Sequence, residues 1–184
     1  MSGDMDQALI PAWVDGVLTP FDKLETHRLG LRHMAVSVFV TDGDAILLQR
    51  RALGKYHTPG LWANSCCTHP HWGEAPEACA IRRLHEELGI AGLQPIHAGQ
   101  VEYRADVGGG LTEHELVDVF VAAASPELPL NPAPAEVMAV RWMTLSDLQR
   151  DLAARPDLYT PWLKIYVERH FQMIRSAFPK ASRA

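Results

Sequence analysis

Residues 74–90 read EAPEACAIRRLHEELGI, and the fold turns on this stretch. Pro76 suits the first turn of a helix, where a missing N–H costs nothing, and Gly89 suits the position just past its end. Ala78, Ile81, Leu84 and Leu88 recur at roughly helical intervals, which predicts a helix over 75–88 with one apolar stripe. Glu74, Arg82, Arg83, Glu86 and Glu87 are closely set along it. Arg83 and Glu87 are four apart and share a face. Taken alone, such charges read as surface ion pairs worth roughly a few tenths of a kcal/mol each.

Upstream, Cys67-Thr68-His69-Pro70 leads into that helix. A helix N-terminus favours a thiolate and binds anions, which raises Cys67 above an ordinary structural cysteine. Residues 50–65 hold Gly54, Pro59 and Gly60 and read as a long loop, a length that is usually functional in a compact domain. Before it, Ala35–Val40 reads as a buried strand, residues 41–44 as a turn and Ala45–Gln49 as the second strand of a hairpin.

Downstream, Tyr103 falls on a strand and Gly108-Gly109-Gly110 forms a turn. Leu116–Ala123 and Met138–Trp142 are two further strands, separated by a proline-rich loop over 125–134. Glu113-His114-Glu115 enters the first of them. On a strand Glu113 and Glu115 point to one face, where two carboxylates repel unless a proton or cation sits between them. A solvated face and a shared metal both fit that pair. Ser146 and Gln149 form a capping box for a short helix. Thr160-Pro161 caps a final helix whose apolar face lies near Leu163, Val167, Phe171 and Ile174. Strands, helix, strands and two helices make an α+β domain rather than a βαβ series. The expectation is a single domain over 1–184, with residues 1–12 a loose N-terminal arm.

The chain has 184 residues and a net charge of −5. Mild acidity argues against bulk nucleic-acid binding, and 47% hydrophobic residues supply a core. No apolar run is long enough to span a bilayer. The acidic start Met-Ser-Gly-Asp lacks secretory-signal chemistry, so a cytoplasmic address is expected. Cys66, Cys67 and Cys79 are odd in number and suggest no disulfide framework. No heptad pattern argues for an oligomer, so a monomer is the default.

The helix resembles the Nudix signature. Anchored on Gly89, the chain places Glu74, Arg82, Leu84, Glu86, Glu87, Gly89 and Ile90 at matching positions. Thr68 stands where a Gly is expected, and Arg83 where the central metal-binding Glu is expected. Nudix hydrolases use that Glu to hold the divalent ion that activates water. Arg83 therefore implies a site that grips a diphosphate without cleaving it.

The wider pattern resembles one family closely, the type 1 isopentenyl-diphosphate delta-isomerases. The matching stretches are residues 50–55, RRALGK; 59–70, PGLWANSCCTHP; 82–89, RRLHEELG; 103–105, YRA; Glu113-His114-Glu115; and Pro161-Trp162. The resemblance runs from about His27 to Trp162. It implies a Nudix fold, mixed β-sheets flanked by helices, and a reversible shift of a carbon–carbon double bond between isopentenyl and dimethylallyl diphosphate. It implies Cys67 and Glu115 as the catalytic pair, with Tyr103 bonded to Glu115 and Trp162 over the developing cation. His27, His33, His69, Glu113 and Glu115 would form a cage for a divalent ion, Mn²⁺, Zn²⁺ or Mg²⁺. Glu87 would hold a Mg²⁺ that accompanies the diphosphate, and Arg51, Lys55 and Arg83 would clamp its phosphates. The partner is then a small diphosphate substrate, with no nucleic acid and no membrane. His57, His71, His85, His97 and His170 read as surface or structural residues. The alternatives are a Nudix hydrolase of a nucleoside or isoprenoid diphosphate, and a non-catalytic module that only binds one.

Overall fold

The computed structural model describes residues 9–178. It contains nine strands, which are joined in one mixed sheet. The strands are β1 (Leu9–Val14), β2 (Val17–Asp22), β3 (Arg32–Asp42), β4 (Ala45–Arg51), β5 (Trp62–Ala63), β6 (Cys66–Thr68), β7 (Ile96–Gly108), β8 (Leu111–Ala123) and β9 (Val137–Thr144). The helices are α1 (Lys23–Leu29), α2 (Pro76–Leu88), α3 (Leu145–Ala154), α4 (Pro161–Ile165) and α5 (Phe171–Ser176). A π-turn over Tyr166–His170 joins the last two. No described helix is long and apolar enough to cross a membrane.

β3 is the axis. It runs parallel to β8 over ten residue pairs and antiparallel to β6, while β7 continues the sheet beyond β8. The expected hairpin with β4 exists only at its turn, through Thr41–Ile46 and Asp42–Ala45. β4 then leaves β3 and pairs with β9 and β5. The period of two along a strand puts alternate side chains on opposite faces. Ala35 and Phe39 join Val117, Val119 and Val121 in a core under α4 and α5. Val36, Val38 and Val40 join Phe120, Leu84 and Leu88 in a second core under α2. β3 is thus buried on both sides, as a continuous apolar run demands.

Four expectations need correction. Residues 9–12 of the expected loose arm lie in β1, hydrogen-bonded to β2; residues 1–8 of that arm lie outside the described residues. The stripe of α2 is rotated from the expected one. Cys79, Ala80, Leu84, Glu87 and Leu88 are buried, whereas Ala78 and Ile81 are exposed. A charged Glu87 inside the stripe disguised its true register. α3 is capped by Thr144, whose Oγ1 accepts from Asp147 N at 3.2 Å, and not by Ser146. Thr160 supplies no side-chain cap, although Pro161 does occupy the first turn of α4.

Two glycines do specific work. Gly89 ends α2 at φ +69°, and a Cβ there would meet Asn131 Cβ at 2.7 Å and Asn131 O at 2.9 Å. Gly30 ends α1 at φ +62° and packs beside Arg104 and Thr112, which sets the step from His27 on α1 to His33 on β3.

Glu74 is more than a surface charge. Its carboxylate accepts from Arg82 Nε at 2.7 Å, from Arg82 Nη2 at 2.8 Å and from the His71 backbone N at 2.8 Å. The Arg82 hydrogen bond outweighs partial burial and holds its pKa down at about 2 instead of 4.5. A carboxylate depressed on folding stabilises above its unfolded pKa and loses that contribution as pH falls through the folded one. Glu74→Gln should therefore cost about 2 kcal/mol at pH 7. The difference from the wild type should shrink between pH 4.5 and 2. Urea melts across pH check both; an equal gap at pH 7 and pH 2 would contradict it.

Candidate active site

The sheet register assembles the site. His33 on β3 pairs with Glu115 on β8, and Glu115 pairs with Tyr103 on β7. Four residues along β3, Ser37 pairs with Cys67 on β6. Glu113 and Glu115 continue the face that carries Val117, Val119 and Val121, so they reach the same side as the α4 core. α1 adds His27, α4 adds Trp162, and the 52–61 loop adds Lys55 to His57. One cavity is lined by Lys23, Arg51, Lys55, Tyr56, His57, Cys67, Thr68, His69, Arg83, Tyr103, Glu113, Glu115 and Trp162. It shares Lys23, Lys55, Tyr56, Thr68, His69 and Arg83 with a neighbouring cavity of about 420 Å³.

The acidic end is buried. Glu113 is 3% exposed and Glu115 5%. The Tyr103 hydroxyl lies 2.7 Å from Glu115 Oε2 and 3.0 Å from Glu113 Oε2. Burial and the Glu115 charge push the Glu113 carboxyl up. Burial also opposes a charge on Glu115, but His33 and His69 outweigh it and hold that carboxyl well below its usual range. His69 Nε2 is 3.0 Å from Glu115 Oε1. Burial, reinforced by His33, pushes the His27 imidazole down to about 4. Burial likewise lowers His57 and His69.

Hydrogen bonding sets the tautomers. His27 Nδ1 faces the Lys23 carbonyl at 2.6 Å and His33 Nδ1 faces the Leu31 carbonyl at 2.7 Å. A carbonyl only accepts, so each Nδ1 carries a proton and, in the neutral ring, each Nε2 is a bare lone pair. Both Nε2 atoms are buried with no hydrogen-bond partner. His33 Nε2 faces Glu115 Oε1 at 3.5 Å, acceptor against acceptor in the neutral ring, so a proton on Nε2 or a cation between the two atoms must make the approach favourable. Donor atoms of His27, His33, His69 and Glu115 lie within 4.8 Å of one another. Such a set fits a divalent cation, because two lone pairs directed at each other need positive charge between them.

The Cys67 thiol belongs to a directional chain. Asn64 Nδ2 donates to Val38 O and Cys66 O, at 3.0 and 2.9 Å, which fixes its amide. Asn64 Oδ1 therefore accepts from the thiol at 3.3 Å. Ser37 Oγ sits 2.7 Å from Cys67 Sγ and 2.7 Å from Tyr166 OH. With the thiol proton on Asn64, the Ser37 hydroxyl donates to sulfur and accepts from Tyr166. The π-turn, a feature frequent at functional sites, places Tyr166 there. Burial and the Glu115 charge push the thiol well up.

The cationic rim is Lys23, Arg51, Lys55 and Arg83. Lys55 and Arg83 both approach Glu136, Arg83 at 3.5 Å. Burial, then Lys55 and Arg83, push the Lys23 ammonium down to about 8. The Arg51 guanidinium lies 5.3 Å from the Trp162 ring centroid. Glu87 does not line the cavity. It is 4% exposed, bonded to Arg83 at 2.6 Å and to Gln49 at 2.8 Å.

Residues 31–163 match the NUDIX domain family. A curated isopentenyl-diphosphate Delta-isomerase of Cereibacter sphaeroides is 61% identical over 166 residues, covering 90% of this chain and 94% of that protein. The same-named protein of Roseobacter denitrificans is 64% identical, covering 88% and 92%. The chain belongs to the isopentenyl-diphosphate Delta-isomerase family. Its fold also matches more distant crystal structures. One, from Deinococcus radiodurans, has a TM-score of 0.69 at 15% identity over 89% of this chain and 98% of that one. A MutT Nudix hydrolase from Burkholderia pseudomallei has a TM-score of 0.58 at 26% identity, over 75% and 97%.

Within this member of the isomerase family, the structure gathers Cys67, Tyr103, Glu113, Glu115, His69, Trp162, Arg51, Lys55 and Arg83 at one cavity, with His27 and His33 behind Glu115. Glu87 stands one residue back, behind Arg83. Thr68, in place of a Gly, lies in β6 and is not among the residues with positive φ, so the strand accepts it without strain. His57, expected at the surface or in a structural role, is not at the surface: it is buried, with Nε2 3.6 Å from Glu113 Oε1. Sequence reasoning also missed Lys23, Ser37, Tyr56, Tyr166 and Glu136. For Lys23 one signal existed: Asp22 and Glu25 have capping-box spacing, and Asp22 Oδ1 does accept from Glu25 N at 2.9 Å. The others are single residues without a local pattern.

Proposed function

We propose that this chain interconverts isopentenyl and dimethylallyl diphosphate by adding a proton at one end of the allylic unit and removing one from the other. The observation that carries this reading is the placement of a thiol, Cys67, and a carboxylate–phenol pair, Glu115 and Tyr103, on one cavity with a cationic rim. An alkene is a very weak base, so proton donors must be held in place and water kept out. Cys67 is held by Ser37 and Asn64, and Glu115 by Tyr103 and two imidazoles. Trp162 offers a π-face to a developing tertiary cation, worth about 2 kcal/mol when desolvated.

In this reading Arg51, Lys55, Arg83 and Lys23 bind the diphosphate, whose binding energy then serves positioning. Glu87, which Arg83 and Gln49 hold back from the cavity, would become an oxygen ligand of a Mg²⁺ arriving with it once Arg83 turns to the phosphates. His27, His33, His69, Glu113 and Glu115 are the proposed cage of a second divalent ion. That ion would neutralise the two carboxylates and polarise Glu115.

Proton NMR of isopentenyl diphosphate with the protein and Mg²⁺ in D₂O tests the function. Conversion to dimethylallyl diphosphate with deuterium entering carbon supports it. Released phosphate would favour the hydrolase, with Arg83 the residue to explain, and an unchanged substrate the binding module.

The Lys23 ammonium yields a further expectation. With its pKa at about 8, it loses charge as pH rises through that value in the free enzyme. kcat/KM should fall above about pH 8, mainly through KM, and Lys23→Arg should flatten that limb. An unchanged alkaline limb in Lys23→Arg would assign it to another group.

A further inference from the structure

His57 takes no part in the reaction proposed above, yet it faces the same carboxylates. It is 6% exposed, and its Nε2 lies 3.6 Å from Glu113 Oε1. That is too long for a hydrogen bond. It does suit two ligands of one ion, since bonds of about 2.1 Å place donors about 3 to 4.2 Å apart.

The ring is held in this position from several sides. Nδ1 lies 3.0 Å from Thr58 Oγ1, and the His57 carbonyl accepts from Arg51 Nη2 at 3.2 Å. The ring meets Tyr56 and Trp162 edge-on and stacks on His27 at 5.7 Å. Thr58 has φ +46°, an outlier for a β-branched residue that the surroundings must impose. The strained turn carries the His57 side chain into the cavity.

His27, His57 and Glu113 offer donor atoms within 4.8 Å of one another. This second group shares His27 with the group around Glu115. The His27 Nε2 lone pair, buried and unpartnered, lies in both. Thr58 Oγ1 can accept from Nδ1–H, and in that tautomer His57 Nε2 presents a lone pair as well.

We propose that His57 is a further ligand of the buried cation site, the ion drawing the group of His27, His57 and Glu113 onto the group of His27, His33, His69 and Glu115 to give four imidazoles and two carboxylates. The inference rests on the proposed five-residue cage. Two carboxylates balance a doubly charged ion. Four imidazole nitrogens suit a first-row transition ion such as Zn²⁺ or Co²⁺, whereas Mg²⁺ prefers oxygen. The cage of this chain is accordingly selective for a transition ion over Mg²⁺.

The test is metal binding by the full chain after chelator stripping. Co²⁺ is followed by its visible absorption and Zn²⁺ by competition with a chromophoric chelator. His57→Ala should weaken Zn²⁺ binding at least tenfold and alter the Co²⁺ band as a nitrogen donor is lost. Excess Mg²⁺ should not displace Co²⁺ from the wild type. The melting temperature of the metal-free variant checks folding, and His57→Asn replaces it if alanine does not fold. His33→Ala separates the two levels of the argument. If it weakens binding while His57→Ala leaves affinity and spectrum unchanged, His57 is not a ligand. If neither variant has an effect, the cage reading itself falls. Ready displacement of Co²⁺ by Mg²⁺ would overturn the selectivity.

Discussion

Cys67→Ala is expected to lower isomerisation of isopentenyl diphosphate by about three orders of magnitude or more, the scale of a positioned acid–base group. Cys66→Ala should leave kcat close to the wild-type value. The contrast follows from β6. Neighbours on a strand point to opposite faces, so Cys66 packs in the α2 core with Val36 and Val38, while Cys67 reaches the cavity and its hydrogen bond with Ser37. The Cys66 change should appear as lost stability, about 1 kcal/mol for a small buried side chain. NMR turnover assays and chemical denaturation of both variants separate the two effects. Wild-type turnover in Cys67→Ala would remove the thiol from the chemistry.

Glu115→Gln should have an effect of similar size on turnover, with a second signature that Cys67→Ala lacks. Glu115 is the meeting point of three strands, flanked by His33 and Tyr103 in register. Its Oε1 faces His69 and His33, and its Oε2 faces Tyr103. Glutamine keeps the shape and removes the charge. It takes away the proposed proton-transferring carboxylate and one anionic donor of the cation site together. kcat should fall by about three orders of magnitude. The rise in melting temperature on adding Mn²⁺ or Zn²⁺ to metal-free protein should shrink, because ligand stabilisation follows affinity. Turnover near wild type would sink the catalytic role. An unchanged metal-induced shift would sink the ligand role alone.

Local signals explain what was legible beforehand. Helix α2, its Pro76 start and Gly89 stop, strand β3 and the run of strand β8 all carry patterns within a dozen residues. The Glu113 and Glu115 pair could be placed on one face because strand alternation is a local rule. β1, β2 and α1 were missed, since short elements with Pro11, Pro20 and scattered charges show no clear period. The stripe of α2 was misplaced because Glu87, a charged residue, is buried within it. The burial of His57 was not legible because nothing near it in sequence distinguishes it from an exposed loop histidine.

The residues themselves determined the chemistry. A cysteine beside a His-Pro, a Glu-x-Glu entering a strand, and an arginine where a hydrolase keeps a carboxylate could all be read without coordinates. Tertiary structure alone decided which of these groups meet, which nitrogen of His27 and of His33 is free, and that His57, Ser37, Tyr166 and Lys23 join them. The physical reason is that chemistry resides in side-chain type, a local property. Burial, tautomer and charge state depend on what the fold packs alongside, and the partners here come from strands and helices far apart in the chain.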